Sequence, residues 1–122
     1  MSNWRILNAE PENYSAQALE VLQSVGTVEM KELDRDSLLS AVHNVDALIV
    51  RLKFQIDEPV FLAAPRLRAL VSATTGLDHI DLDSAEQRGV KVLSLRGETE
   101  FLRSIPATAE LTWGLLLALL RN

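Results

Sequence analysis

The sequence predicts an α/β fold in which five parallel strands form one sheet with helices on both faces and an apolar helix closes the chain. Three observations carry this. Short apolar runs alternate with stretches of helical period along residues 4–95, the pattern that repeated strand–helix crossovers leave in a sequence. One run, Asp46-Ala47-Leu48-Ile49-Val50, is apolar at successive positions, as a strand covered on both faces requires. The length, 122 residues, suits one domain that buries roughly 60 to 70% of the surface its unfolded chain exposes.

Each element has its own signal. Residues 4–9, WRILNA, form a first strand, and Pro11 stops it because proline has no N–H to donate to a ladder. From Tyr14 to Val25 the apolar residues Ala18, Leu19, Leu22 and Val25 recur at spacings of three and four, and Gly26 reads as the stop of that helix. Thr27 to Met30 is a second strand. Leu38, Leu39, Val42 and Val45 then repeat at helical spacing behind Asp34 and Asp36, two candidate N-caps. Strand three, 46–50, ends at Arg51. Asp57 and Pro59 start a helix running to about Ala64, which Pro65 closes. Leu67 to Ala73 is the fourth strand, Asp81 to Arg88 a short helix ended by Gly89, and Val90 to Leu95 the fifth strand. Right-handed crossovers through five such units give, most simply, the flavodoxin-like strand order 2-1-3-4-5.

The segment from Ala107 to Asn122 differs from the rest. Leu111, Trp113, Leu115, Leu116, Leu117, Leu119 and Leu120 leave it apolar on nearly every side, so one covered face would not bury it. A bilayer needs about 20 apolar residues, and Glu110 and Arg121 flank a shorter stretch. The expectation is therefore a helix over about 107–120 that packs on another domain or another chain, as a homodimer or by exchange with its counterpart.

Composition excludes several functions. Twelve Lys and Arg against seventeen Asp and Glu leave a formal charge of −5, with no basic footprint for a nucleic-acid backbone. No cysteine occurs, which removes disulfides, thiolate nucleophiles and cysteine-ligated metals and fits a cytoplasmic setting. The start, MSNWR, lacks the charged and apolar regions of a signal peptide. The five glycines, at 26, 76, 89, 97 and 114, never stand two apart, so there is no G-x-G-x-x-G to cradle a pyrophosphate. No G-x-S-x-G elbow is present either.

In open α/β sheets, ligands bind outside the carboxyl ends of the strands. Three loops leave strand ends there: Arg51-Leu52-Lys53, Thr74-Thr75-Gly76-Leu77 and Arg96-Gly97. A guanidinium offers paired donors that match a carboxylate fork, and Gly76 lets backbone N–H groups approach a ligand. Arg51, Arg96 and the Thr75-Gly76-Leu77 turn thus describe a rim for a small carboxylate. Each has a plainer reading: Arg51 solvated or paired with Glu58, Gly76 a tight turn, the threonines its caps. Asp78-His79-Ile80-Asp81 matches no compact metal pattern and reads as a helix cap with a loop-fixing hydrogen bond. His43 reads as a helix-end residue. A phosphoacceptor receiver module would need an aspartate where strand three ends in Arg51, with Glu10 and Glu12 as cation ligands; the charge at the decisive position is inverted. A regulatory binding module of that kind, or a self-associating structural fragment, is the alternative class.

Three segments carry a family resemblance: Thr75-Gly76-Leu77-Asp78-His79-Ile80-Asp81, Glu86-Gln87-Arg88-Gly89-Val90-Lys91-Val92, and Ala109-Glu110-Leu111 opening the apolar helix. From about Ala47 onward the chain resembles the D-isomer-specific 2-hydroxyacid dehydrogenases, including the 3-phosphoglycerate dehydrogenase branch. The resemblance implies an NAD-dependent oxidoreductase acting on a D-2-hydroxy or 2-oxo acid. Within it, residues 1–105 correspond to the substrate-binding domain, and 106–122 to the helix leading toward a nucleotide-binding domain. It further implies that Arg51 and the turn Thr75-Gly76-Leu77 hold the substrate's carboxylate side. Arg96-Gly97 stands where many members have asparagine and proline. The family's nucleotide fingerprint, catalytic arginine, acidic partner and histidine proton donor have no counterpart before Asn122, and His43 and His79 match none of them. The chain by itself is expected to bind no NAD and to be inert.

Overall fold

The computed structural model describes residues 3–95 and 116–120. Strands and helices alternate in the order β1 (Trp4–Asn8), α1 (Ala16–Gln23), β2 (Gly26–Met30), α2 (Arg35–Ala41), β3 (Ala47–Val50), α3 (Glu58–Ala63), β4 (Ala69–Ser72), α4 (Leu82–Gln87) and β5 (Lys91–Leu93). Every pairing is parallel and the sheet order is β2-β1-β3-β4-β5, the order the sequence predicts.

The central strands divide two cores between them. Leu48 and Val50 of β3 and Leu70 of β4 face Leu38 of α2, Val60 and Phe61 of α3, and Ala85 of α4. Ala47 and Ile49 of β3, with Ala69 and Val71 of β4, face the other way onto Trp4, Ile6, Leu22 of α1, and Leu116. All four residues of β3 are buried, which explains why this run had to be apolar at successive positions. Leu116 is 2% exposed, with Leu119 and Leu120 packed partly against the same core. Residues 116–120 are helical; the remainder of the helix expected over 107–120 lies outside the described residues. Among the described residues no helix is long and apolar enough to cross a membrane.

Helix α2 ends at Ala41, before Val42 and Val45, and β4 spans Ala69–Ser72 rather than Leu67 to Ala73; two further boundaries differ from the sequence reading for identifiable reasons. Gly26 is not a helix stop. Helix α1, capped by the Ser15 hydroxyl accepting from Ala18 N–H at 3.3 Å, already ends at Ser24, and Gly26 opens β2 opposite Trp4. A Cβ there would stand 2.0 Å from the Trp4 carbonyl oxygen, so a close approach of two strands, not a left-handed turn, requires the glycine. Strand β5 is shorter than expected. Val90 N–H still donates to Ala85 O in the helix exit at 2.9 Å, and Leu95 N–H donates to Thr74 O at 3.0 Å. Gly89, at φ 69°, does end α4 as predicted.

Of the two proposed caps on α2, Asp34 is the N-cap, accepting from Ser37 N–H at 2.8 Å, while Asp36 lies in the first turn. Asp57 precedes α3 but makes no cap bond; both its oxygens instead accept from Arg35, at 2.8 and 3.0 Å. At the sheet's N-terminal edge, buried Asp46 accepts from Arg5 N–H at 2.9 Å and lies 3.4 Å from the Arg66 guanidinium. The Arg68 guanidinium stacks 4.2 Å from the Trp4 ring centre, a cation–π contact at the same edge.

Candidate functional site

The register of the sheet brings the first two predicted loops together. Val50 pairs with Ser72, so Arg51 and Ala73 leave the sheet side by side, and Ala73 N–H donates back to Val50 O at 3.3 Å. Farther out, Ile56 N–H donates to His79 O at 2.7 Å and Asp81 N–H to Ile56 O at 2.8 Å. This bridge ties the loop after β3 to the segment after the glycine turn, and buries Ile56 and Ile80 beneath it. The loop after β5 enters the same edge through the Leu95–Thr74 bond; Arg96 itself lies outside the described residues.

The turn after β4 rests on a chain of hydrogen bonds whose direction can be deduced. Thr74 Oγ1 donates to Gly76 O at 2.8 Å, which uses its only proton. The contact of 2.7 Å between Ser72 Oγ and Thr74 Oγ1 must then have serine as donor. Ser72 Oγ has no proton left for His79 Nε2, 3.0 Å away, so the imidazole carries its proton on Nε2 and donates. His79 and Ser72 are both buried, and this relay is the loop-fixing role expected for the histidine. Asp81 accepts from Ser84 N–H at 3.1 Å and Ser84 Oγ at 2.8 Å. The backbone bond from Ser84 is the chief cause holding its carboxyl below the ordinary aspartate range. It is the N-cap of α4, as the sequence indicated.

The turn leaves Thr75 and Gly76 exposed and Leu77 half-buried. A Cβ on Gly76 would meet nothing within 4 Å, so the space in front of this backbone is open. The Arg51 side chain is exposed and forms no salt bridge with a described residue, Glu58 included. Leu52, next to it, is 70% exposed.

A residue the sequence reading did not place at this rim is Glu10. Its Oε2 accepts from Arg51 N–H and its Oε1 from Lys53 N–H at 3.1 Å. The signal was available only indirectly: in the order 2-1-3 the end of β1 lies beside the end of β3, and an acid two residues past β1's last pairings reaches its neighbour's loop. Behind it, Asn8 is 1% exposed and accepts from Glu10 N–H at 3.0 Å through Oδ1, while Asn8 Nδ2 and the Tyr14 hydroxyl are buried without a partner among the described residues. Burial pushes the Tyr14 phenol up to about 12.

Other clefts lie elsewhere. One of about 480 Å3 runs along β2 and the end of α2, lined by Arg5, Glu29, Lys31, His43 and Asn44. Another, of about 400 Å3, lies between Trp4, Gln23, Gly26 and Leu120. His43 follows the last turn of α2. No group of three or more metal-ligating side chains occurs among the described residues. Nor do the described glycines fit a dinucleotide: Gly26 lies inside a strand contact, Gly89 ends a helix, and only Gly76 stands at a strand's carboxyl end.

Comparison with known proteins agrees with this architecture. Residues 6–113 match the description of the D-isomer specific 2-hydroxyacid dehydrogenase catalytic domain. A glyoxylate reductase of Thermococcus kodakarensis is 39% identical over 117 residues, covering 96% of this chain and 34% of the relative. A D-3-phosphoglycerate dehydrogenase of Mycobacterium bovis is 42% identical over 89 residues, covering 73% of this chain and 16% of the relative. A crystal structure of a Pyrococcus horikoshii protein superposes with a TM-score of 0.72 at 26% identity, over 80% of this chain and 29% of that one. The chain therefore spans about a third or less of the length of these relatives. The match over residues 6–113, on a sheet of the order and edge described, means that this chain belongs to the D-isomer specific 2-hydroxyacid dehydrogenase family.

Proposed function

We propose that this chain is the substrate-binding portion of an NAD-dependent dehydrogenase that interconverts a D-2-hydroxy acid and its 2-oxo acid. The acid's carboxylate is received by Arg51 and the backbone N–H groups of Thr75, Gly76 and Leu77, with Arg96 at the third loop. The observation that carries this reading is the exposed Gly76 turn facing open space, beside a loop that begins with an exposed arginine forming no salt bridge among the described residues. Backbone donors and a guanidinium are the groups that recognise a carboxylate. Glyoxylate and phosphoglycerate appear in the names of the relatives, and a small 2-oxo acid fits the same pair of groups. NAD belongs to the whole enzyme, since the cofactor supplies the hydride and the described glycines offer it no cradle. The receiver-like alternative loses support from Glu10: the cation ligand that reading requires is engaged by two backbone amides.

Two measurements test the proposal. Calorimetry should detect glyoxylate binding to the chain, weakened in Arg51→Ala; no heat with any 2-oxo acid refutes the carboxylate rim. Mixing the chain with NADH and 2-oxo acids should give no absorbance change at the nicotinamide band. A rate that a substitution within residues 3–95 abolishes would refute inertness.

A further inference from the structure

At the carboxyl edge of the sheet, Glu10 places both carboxylate oxygens on amides of a loop 41 and 43 residues away. Alternate N–H groups converging on one point form an anion nest, and here the anion is the chain's own. Its placement is secured from behind. Buried Asn8 accepts from Glu10 N–H at 3.0 Å, and Pro11 restricts the backbone of Glu10, the residue before it. No described cation neutralises Glu10: the Lys53 ammonium turns to Glu32, 3.9 Å away, and Arg51 makes no salt bridge with it.

We propose that Glu10 is a specificity-determining residue: it occupies the amide nest of Arg51 and Lys53, so the rim accepts an acid with one carboxylate and refuses one carrying a second anionic group such as a phosphoryl. The inference rests on the carboxylate-rim reading and narrows its substrate class. A second anion at this edge would need the amides that Glu10 holds, and would meet its negative charge there, where like charges repel. A small 2-oxo acid bound by its single carboxylate at the Arg51 guanidinium and the Thr75, Gly76 and Leu77 amides leaves the nest to Glu10.

Inorganic phosphate probes the nest and glyoxylate the rim, both read from backbone amide resonances of the 15N-labelled 122-residue chain. In the wild-type chain, phosphate should leave the Arg51 and Lys53 amides unmoved. In Glu10→Ala, the emptied nest should give a saturable shift of both, with affinity at least about tenfold above any wild-type response, the factor that charge repulsion of this kind supplies. Glu10→Gln removes the charge but keeps an acceptor oxygen, and should respond less than Glu10→Ala but more than the wild type; it carries the test if the alanine variant does not fold. Equal phosphate shifts in wild type and variants, or none in either variant, would overturn the proposal. Glyoxylate is scored separately at the Thr75, Gly76 and Leu77 amides. Stillness there, with phosphate entering the emptied nest, counts against the rim and for the nest; the opposite pattern counts against the nest alone.

Discussion

The two ends of one sheet are built on opposite plans. At the amino end, Gly26 is pressed against Trp4, the Asp46 carboxylate ties Arg5, and Arg68 covers the Trp4 ring. At the carboxyl end, Gly76 faces open space, Leu52 stands exposed, and the polar groups are arranged in a relay and a nest. One glycine exists because there is no room for a side chain; the other stands where there is room. The difference teaches that glycine, arginine and aspartate have no fixed meaning in this chain. Closed packing stabilises one edge, and a turn facing open space marks the other, the edge at which open α/β sheets bind ligands.

The contrast can be broken most directly at its closed end. Gly26→Ala should lower unfolding stability by about 3 kcal/mol, because the new methyl collides with backbone and two paired strands must part. Urea denaturation measures it, and a loss too small to detect would mean that β2 shifts freely. Asp46→Ala should follow at about 2 kcal/mol, leaving the Arg5 N–H without its acceptor; a neutral outcome would make that edge no more constrained than the other.

Gly76→Ala sharpens the comparison from the open side. No atom lies within 4 Å of the new Cβ, and Gly76 does not have positive φ, so stability should be unchanged or rise by up to about 1 kcal/mol. Glyoxylate affinity should nevertheless fall about tenfold, since the methyl occupies the approach to the turn's amides. Loss of stability together with unchanged binding would reverse the assignment of the two glycines.

The smallest expected effect is acid sensitivity at the carboxyl edge, where α2 and α4 begin. Asp34 and Asp81 both have carboxyls held below the ordinary 3.8, chiefly by the backbone N–H groups of Ser37 and Ser84. A depressed folded value means a contribution that is present above the unfolded value and lost as pH falls through the folded one. Amide exchange in the first turns of α2 and α4 should therefore quicken below about pH 4, ahead of exchange in β3. Asp34→Asn with Asp81→Asn should flatten that dependence; an unaltered profile would remove the caps as its cause.

Much of this architecture was legible in the chain. Apolar continuity marked β3 as a doubly covered strand, the three-and-four spacing located α1 and α2, and Gly89 and Asp81 announced the ends of α4. The Gly76 turn and a loop-fixing hydrogen bond in the cluster around His79 were also readable, whereas its partner Ser72 was not. Gly26 misled because one residue type serves both helix stops and tight strand contacts, and only the neighbour decides which. Glu10 escaped placement because its partners lie in a different strand's loop.

What the sequence determined by itself was local: periodicity, caps and turn chemistry, which together specify the strands, the helices and their winding. The tertiary structure alone decided which glycine is crowded and which is open, which proton each hydroxyl of the Ser72–Thr74–His79 relay donates, and that Glu10 answers two amides of the loop after β3. The physical reason is distance along the chain. Short-range propensities act on neighbours in sequence, whereas contacts and hydrogen bonds at a strand's end depend on which strand the sheet has set beside it.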